Sequence, residues 1–153
     1  MVNEVRFIFI VAFLAIIVFM IGSHINSKKL NRYAKLLYDK AKDRKVKYAP
    51  FGTDGFKARI LYEEGTLSQL DLSIRLVDRY NFMHHVLRLY TKDSDTLIVW
   101  FRFRDVTKKK LVADKLNSLS PKLLKEEDKR IQAVFDKIDE ERLNGIYDAI
   151  LRI

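Results

Sequence analysis

Hydrophobic positions form a succession of patterns along the chain, and each pattern predicts a different kind of element. Residues Phe7–Gly22 are apolar on every side, residues Leu30–Ala41 repeat their apolar positions at intervals of three and four, and residues 56–104 contain alternating runs. The helical period returns after Asp105. In chain order, these patterns predict a lipid-embedded helix, an amphipathic helix, a β-sheet and further helices.

The first apolar segment, FIFIVAFLAIIVFMIG, contains no charged side chain over sixteen residues. A helix of this length covers about 24 Å, and apolar neighbours such as Val5 and Ile25 extend it toward a hydrocarbon thickness of about 30 Å. A soluble core helix would carry a polar face, and a cleaved signal peptide would have small residues before its cleavage site, where Ile21 is bulky. The pattern therefore favours an uncleaved transmembrane anchor, residues 1–26.

The formal charge of +9 is concentrated directly after this segment. Between Lys28 and Lys47, nine cationic side chains stand against two anionic ones, whereas Tyr48–Asp105 has eight of each. Because cationic residues beside a span are retained in the cytoplasm, we expect the N-terminus outside the cell membrane and the rest of the chain in the cytoplasm. The alternative is a signal-anchored extracytoplasmic domain that serves an envelope or secretion assembly.

Residues 27–47 are predicted to form a basic juxtamembrane amphipathic helix, for which Ser27 is the cap. Two interpretations of its apolar stripe stay open. The helix can lie on anionic headgroups, or its stripe can pack on the sheet of the domain that follows. In the first case, four cations would contact the lipid surface, namely Lys28, Lys29, Arg32 and Lys35.

The remaining residues, 48–153, predict a small α+β domain with a sheet over 56–104 and helices over 106–153. Short connections favour a four-stranded antiparallel β-meander, with strands near Phe56–Tyr62, Leu70–Leu76, Val86–Tyr90 and Thr96–Arg104. One helix is predicted along 111–119. A second is predicted to start at Ser120-Pro121 and to carry Leu124, Ile131, Val134, Phe135 and Ile138, until Asn144-Gly145 stops or bends it. These C-terminal helices would cover the sheet.

The sequence carries no pattern typical of catalysis or metal binding. It has no cysteine, and the adjacent His84 and His85 would point to opposite faces of a strand, where they could not share a metal ion. Its five glycines form neither a phosphate-binding loop nor a nucleophile elbow. We therefore expect no enzyme activity, no cofactor, no metal and no small-molecule substrate.

The fourth predicted strand offers the best candidates for binding a partner. Trp100, Arg102 and Arg104 share one face of it and combine apolar bulk with two positive charges. They form either a partner-binding face or a packed layer in which Trp100 lies beneath a helix and the arginines pair with neighbouring carboxylates. The balanced charge of Tyr48–Asp105 argues against nucleic acid.

These patterns together predict a single-pass, membrane-anchored and non-catalytic adaptor or accessory subunit of a membrane protein complex. Its partners would be the membrane, through anionic headgroups, and another protein. The alternatives are the extracytoplasmic domain and a membrane-tethered nucleic-acid binder.

Overall fold

A computed structural model of the chain describes residues 2–41, 44–87, 90 and 93–151. Along this part of the chain the elements are α1 (Val2–Lys40), β1 (Lys45–Phe51), β2 (Gly55–Leu61), β3 (Leu67–Arg75), α2 (Phe82–Leu87), β4 (Thr96–Phe103), α3 (Lys109–Ser118), β5 (Leu123–Glu127), β6 (Arg130–Phe135) and α4 (Glu140–Leu151). The fold is α+β, as predicted, with a long apolar helix at the N-terminus and an antiparallel sheet.

The sheet has the strand order β1-β2-β3-β4-β6-β5, and every neighbouring pair is antiparallel. It has six described strands, so the predicted four-stranded meander is wrong in its strand count. One face of the sheet is apolar and buried, as Phe56, Leu72, Val99, Phe101 and Ile131 illustrate. The second half of α1, together with α3 and α4, packs on this inner face and completes the core.

The predicted third strand, Val86–Tyr90, is wrong where the structure describes it, because Phe82–Leu87 form helix α2. The side-chain oxygen of Asn81 accepts hydrogen bonds from the backbone N–H groups of Met83 at 3.0 Å and His84 at 3.4 Å. Such a cap satisfies free donors at a helix start and favours a turn of helix over an extended chain. Residues 88 and 89 of the predicted strand lie outside the described residues.

The predicted helix beyond Ser120-Pro121 is also wrong, because this segment forms the hairpin β5–β6. Ser120 has a φ of 54°, which is not the conformation of a helix cap. The apolar residues of β6 fit both periods, since Ile131 and Phe135 are four apart but also alternate with Ala133 between them. The hairpin prevails because β6 pairs with β4 and buries all three side chains.

The first strand, β1, was also missed, because its cationic residues extend the basic run and Pro50 suggests a loop. Proline lacks the N–H that an interior strand must donate, but it is tolerated at the edge of a sheet. Strand β1 occupies that edge and pairs only with β2 among the described strands. Its Lys45 and Lys47, with Pro50, also discourage pairing with another chain.

Gly145 was expected to stop or bend a helix, yet it lies inside α4. A Cβ atom at this position would come within 2.8 Å of Cδ2 of Leu119. The glycine therefore allows α4 to approach the end of α3 closely, and its role is in packing.

Candidate functional site

Helix α1 joins the predicted anchor to the predicted amphipathic helix in one unbroken element of 39 residues, which ends at Lys40. The predicted helix 27–47 is wrong at its end, because residues 45–47 belong to strand β1. At 1.5 Å per residue, α1 is about 58 Å long, far longer than the described domain helices. Its apolar first half is exposed, and an 18-residue window within Asn3–Lys40 reaches a mean hydropathy of 2.8 while only 6% of it is buried. By length and composition, α1 can cross a membrane.

The second half of α1 packs on the domain through a stripe that begins where the apolar run ends. Its buried members recur at three and four residues, and they are Gly22, Asn26, Leu30, Tyr33 and Leu37. The Tyr33 hydroxyl donates to the carbonyl of Ile138 at 3.0 Å. A Cβ atom on Gly22 would lie 2.1 Å from the carbonyl oxygen of Arg79, so only glycine allows this contact between helix and loop.

A buried polar network fastens α1 to the domain one turn beyond Gly22. Asn26 is fully buried; its amide donates to the carbonyl of Val77 at 3.0 Å and its oxygen accepts from Arg79 at 2.9 Å. The carboxylate of Asp95, 8% exposed, accepts from Arg79 at 2.8 Å and from Lys29 at 3.0 Å. The backbone N–H of Val77 also donates to it, at 2.9 Å.

The charge state of Asp95 follows from this network. Burial by itself would raise the pKa of the carboxyl group, but the hydrogen bond from the Val77 N–H, the one from Lys29 and the nearby Arg79 charge outweigh it. The net pKa of Asp95 is lowered, so the group is ionised at neutral pH. The helix is therefore joined to the domain by a largely buried ionic network.

Helix α1 runs along the strands rather than across them. At one end of the sheet, Asn26 of α1 contacts Val77, which lies just past the end of β3. At the opposite end, Arg44, which follows α1, places its guanidinium 4.4 Å from the ring centroid of Tyr62. The fourteen residues after Asn26 in α1 rise about 21 Å, which is most of the roughly 30 Å that the nine residues of β3 span. The second half of α1 therefore runs from one end of the sheet toward the other.

Two of the four predicted lipid-facing cations bind the domain. Lys29 forms the ion pair with Asp95, and Arg32 hydrogen-bonds Glu140 at the start of α4. The pKa of Arg32 is raised by that hydrogen bond and by the Glu140 charge. Lys28 and Lys35 are exposed. The geometry thus divides this set into two domain contacts and two solvent-facing side chains.

Helices α1, α3 and α4 all lie on the inner face of the sheet, and the middle of the outer face is open. A shallow groove of about 500 Å³ crosses it. Its charged lining residues are five cations and a single anion, namely Lys47, Lys57, Arg59, Arg102, Arg130 and Asp71. Trp100 lies directly opposite Asp71 in the strand register, near the middle of the groove.

Like charges face each other directly at two places in this groove. Lys47 on β1 is in register with Arg59 on β2, and Arg102 on β4 is in register with Arg130 on β6. Opposed like charges destabilise a sheet, whereas they attract an anionic ligand. With strands about 4.8 Å apart, the two cationic pairs lie about 14 Å from each other across the sheet.

One carboxylate separates the cationic pairs. Arg59 donates to Asp71 at 2.7 Å, and that hydrogen bond, followed by the Asp71 charge, raises the pKa of the guanidinium. Gln69 also donates to Asp71, at 2.6 Å. Within the described chain, Arg102 and Arg130 have no such side-chain partner, so their positive charges are available to a ligand.

Only two of the three predicted partner-binding residues line the groove. Trp100 and Arg102 lie two positions apart on the outer face, and both line the groove. Arg104 instead donates to the backbone carbonyls of Glu63 at 2.8 Å and Tyr62 at 3.0 Å, which holds the β2–β3 connection. Arg104 is therefore a structural residue at the margin of the groove.

Sequence reasoning missed four groove cations, Lys47, Lys57, Arg59 and Arg130. A usable signal existed for Lys57 and Arg59, which alternate with the apolar residues Phe56, Ala58 and Ile60. The balanced charge of Tyr48–Asp105 concealed them, because most of its acidic residues lie in loops, as Asp54, Glu63, Glu64, Asp78 and Asp93 do. The outer face is basic because most acidic residues of this segment lie in loops and not on the strands, although the total charge of the segment is balanced.

Among the described residues, no three acidic or histidine side chains come together in a way that could hold a metal ion. His84 belongs to α2, and its Nε2 lies 3.7 Å from Oδ2 of Asp93. Both His84 and His85 lie on a helix, so the expectation that they occupy opposite faces of a strand is wrong.

No protein-family model matches this chain, and no curated protein is significantly similar to it.

Proposed function

We propose that this protein is a single-pass membrane adaptor, whose domain stands on α1 in the cytoplasm and docks an acidic segment of a partner protein in the outer groove. The observation that carries the proposal is the pair of opposed like charges on an open sheet face, Lys47 with Arg59 and Arg102 with Arg130. This arrangement costs stability in the isolated chain, and an anionic partner would offset that cost.

The buried junction supports an adaptor rather than a domain on a loose tether. The first half of α1 would span the bilayer, and the polar network of Asn26, Lys29, Arg79 and Asp95 would fix the domain against its inner end. Lys28, exposed and within about two helical turns of the apolar run, would contact anionic headgroups.

The far end of the groove lies too far from the bilayer to take a lipid headgroup. The sheet end nearest the apolar run is marked by Arg75 on β3. Lys57, in register with Ser73, lies two residues from that end, whereas Gln69 and its partner Arg102 on β4 lie six residues away, about 20 Å at 3.3 Å per residue. The far end of the groove therefore faces the aqueous phase, where a soluble segment of another protein can reach it.

An acidic peptide fits the groove better than a nucleic acid does. Asp71 lies between the two cationic pairs, where it would repel a strand that carries a phosphate at every residue. Trp100 is the chain's single tryptophan and gives one stacking surface, whereas single-stranded nucleic acids generally use several. A peptide can place its carboxylates at the two pairs and an apolar side chain at Trp100.

The orientation can be tested with single cysteines, because the natural chain contains none. In intact cells that express the chain, a membrane-impermeant maleimide should label Asn3→Cys, whereas Asn117→Cys in α3 should react only after lysis. The reverse pattern would place the domain outside the cytoplasm. Labelling of both residues in soluble extracts without detergent would contradict the membrane anchor.

The groove can be tested with the full chain in nanodiscs and two labelled probes, an oligo-glutamate peptide and an oligothymidylate of equal length. The peptide should bind, and the double variant Lys57→Glu, Arg102→Glu should weaken its binding at least about tenfold, since charged contacts at close range are worth about 1.4 kcal/mol or more. The matched control is Lys110→Glu, Lys137→Glu, which makes the same charge change at exposed positions outside the groove.

Equal loss in both double variants would show that net charge alone drives binding, and it would contradict the groove. Tighter binding of the oligothymidylate, with steep dependence on salt, would instead make the protein a membrane-tethered nucleic-acid binder.

A further inference from the structure

We propose that helix α2 is a second membrane contact, which lies in the headgroup region beside α1 and holds the domain upright. The proposal rests on the membrane anchoring proposed above. It concerns a surface that the groove does not include, at the opposite end of the sheet.

The first observation is the height of α2 along α1. The loop that leads into α2 contacts α1 at Gly22, where the carbonyl of Arg79 leaves no room for a Cβ atom. The ring of Tyr80 meets the ring of Phe19 edge-on, with centroids 5.7 Å apart. Phe19 and Gly22 lie in the last turn of the sixteen-residue apolar run. The loop that contacts them would therefore lie at the interface between the bilayer and water.

The second observation is the apolar surface that α2 itself exposes. Met83 is 62% exposed and Leu87 is 55% exposed. They are four residues apart in α2, so they lie on one face of it. Two large apolar side chains on a six-residue helix cannot be explained by the core, because neither belongs to the buried cluster.

The bilayer is the occupant that these positions favour. Tyr80, two residues before α2, packs its ring on Phe19 within the exposed apolar part of α1. Tyrosine is enriched at the headgroup level, where its ring is buried and its hydroxyl is hydrated or bonded. The Tyr80 hydroxyl donates to Asp54 at 2.7 Å, which ties the β1–β2 turn to the same level. A short helix that exposes two large apolar side chains at this depth matches an interfacial segment lying beside a spanning helix.

Two attachment points would have a mechanical consequence. A single spanning helix can tilt, and the attached domain would tilt with it. A second contact at α2 would restrict this tilt and keep the groove at a constant distance from the bilayer. The groove would then be presented to partners at one height.

Fluorescence quenching by brominated phosphatidylcholine can test this inference on the full chain in vesicles. In the background Trp100→Phe, tryptophan is introduced singly at Met83, Leu87, Phe13 or Leu111. Phe13 is within the apolar run and serves as the positive control, and Leu111, an exposed residue of α3, is the negative control.

Met83→Trp and Leu87→Trp should lose fluorescence in lipids brominated near the headgroup end of the acyl chains. Phe13→Trp should lose most in lipids brominated deeper, and Leu111→Trp should lose none. The native Trp100 in the unaltered chain should also be unquenched, because it lies in the groove.

Quenching at Phe13 without quenching at either Met83 or Leu87 would overturn the second contact and leave the anchor intact. Absence of quenching at Phe13 would overturn the anchor and, with it, this inference. Quenching at Leu111 as strong as at Met83 would show that the domain lies flat, which also contradicts the upright arrangement.

Discussion

The two faces of the sheet differ in burial and in side-chain type, although neighbouring residues of the same strands supply both faces. Phe101 points to the inner face and is fully buried beneath the helices, whereas Trp100 and Arg102 on either side of it point to the open face. Inner residues are selected for packing, and they are almost entirely apolar. The outer face carries one tryptophan and five cations, and four of these cations form two opposed like-charge pairs.

The difference separates stability from recognition. Large apolar side chains on the inner face exclude water and fix the positions of α1, α3 and α4. The outer face contributes little to that core, so it is free to carry charges that favour a ligand instead of the fold. The comparison predicts that substitutions on the two faces affect different measurements.

The largest effect is expected from Phe101→Ala on the inner face. Loss of this buried ring should lower the free energy of unfolding by about 3–5 kcal/mol, because the surrounding core cannot collapse fully into the cavity. Trp100→Ala on the open face should cost less, about 1–2 kcal/mol, because Trp100 is only partly buried. Urea unfolding of the full chain in detergent micelles, followed by circular dichroism, compares the two. Equal losses would break the distinction between the faces.

A loss of about 3 kcal/mol is expected for Asp95→Ala, because it leaves the largely buried Arg79 without its carboxylate. The matched control is Asp114→Ala in α3, an exposed acid that should change stability by about 0.5 kcal/mol or less. The same urea experiment measures both variants. If Asp95→Ala were as mild as the control, the polar network would not fasten α1 to the domain.

Acidification should weaken the same junction. The pKa of Asp95 is lower in the folded than in the unfolded chain, so its contribution is fully present above the ordinary carboxyl pKa of about 3.9 and is lost as the pH falls toward the folded value. In Asp95→Asn this part of the pH dependence should disappear. Urea unfolding between about pH 7 and about pH 3 should therefore show a shallower decline for the variant. Parallel curves would contradict the lowered pKa.

The smallest change in stability is expected from Arg102→Glu, which tests the open face most directly. The new carboxylate would face Arg130, so an opposed like-charge pair becomes an ion pair, and stability should rise by about 0.2–1 kcal/mol. Binding of the oligo-glutamate probe should fall at the same time. Arg102→Ala separates relief of repulsion from the new attraction. A destabilised Arg102→Glu would show that Arg102 serves the fold.

Pattern reasoning succeeded where a single period dominates. The apolar run, the α+β class, the strands around Phe56–Tyr62, Leu70–Leu76 and Thr96–Arg104, and the helix along 111–119 all have counterparts in the described chain. It failed where a segment satisfies two periods, as in β6, or where a local cap overrides the alternation, as Asn81 does at α2. It also failed for β1, whose position at the edge of the sheet makes Pro50 acceptable.

The candidate site was predicted only in part, for a related reason. Trp100 and Arg102 were found because they lie in one strand, but the other groove cations come from β1, β2 and β6. Sequence spacing cannot show which residues of different strands face each other. Arg104 shares the outer face by alternation, yet it binds the carbonyls of Tyr62 and Glu63, a contact that only the folded chain creates.

The sequence by itself determined the long apolar helix, the position of the basic stretch after it and the mixed α+β class, because each of these follows from local composition and period. The tertiary structure alone decided that α1 continues unbroken onto the domain, that Lys29 and Arg32 bind it, and that cations from four strands share one open face. These features depend on strand order and register, which join residues far apart in the chain through backbone hydrogen bonds that no single segment specifies.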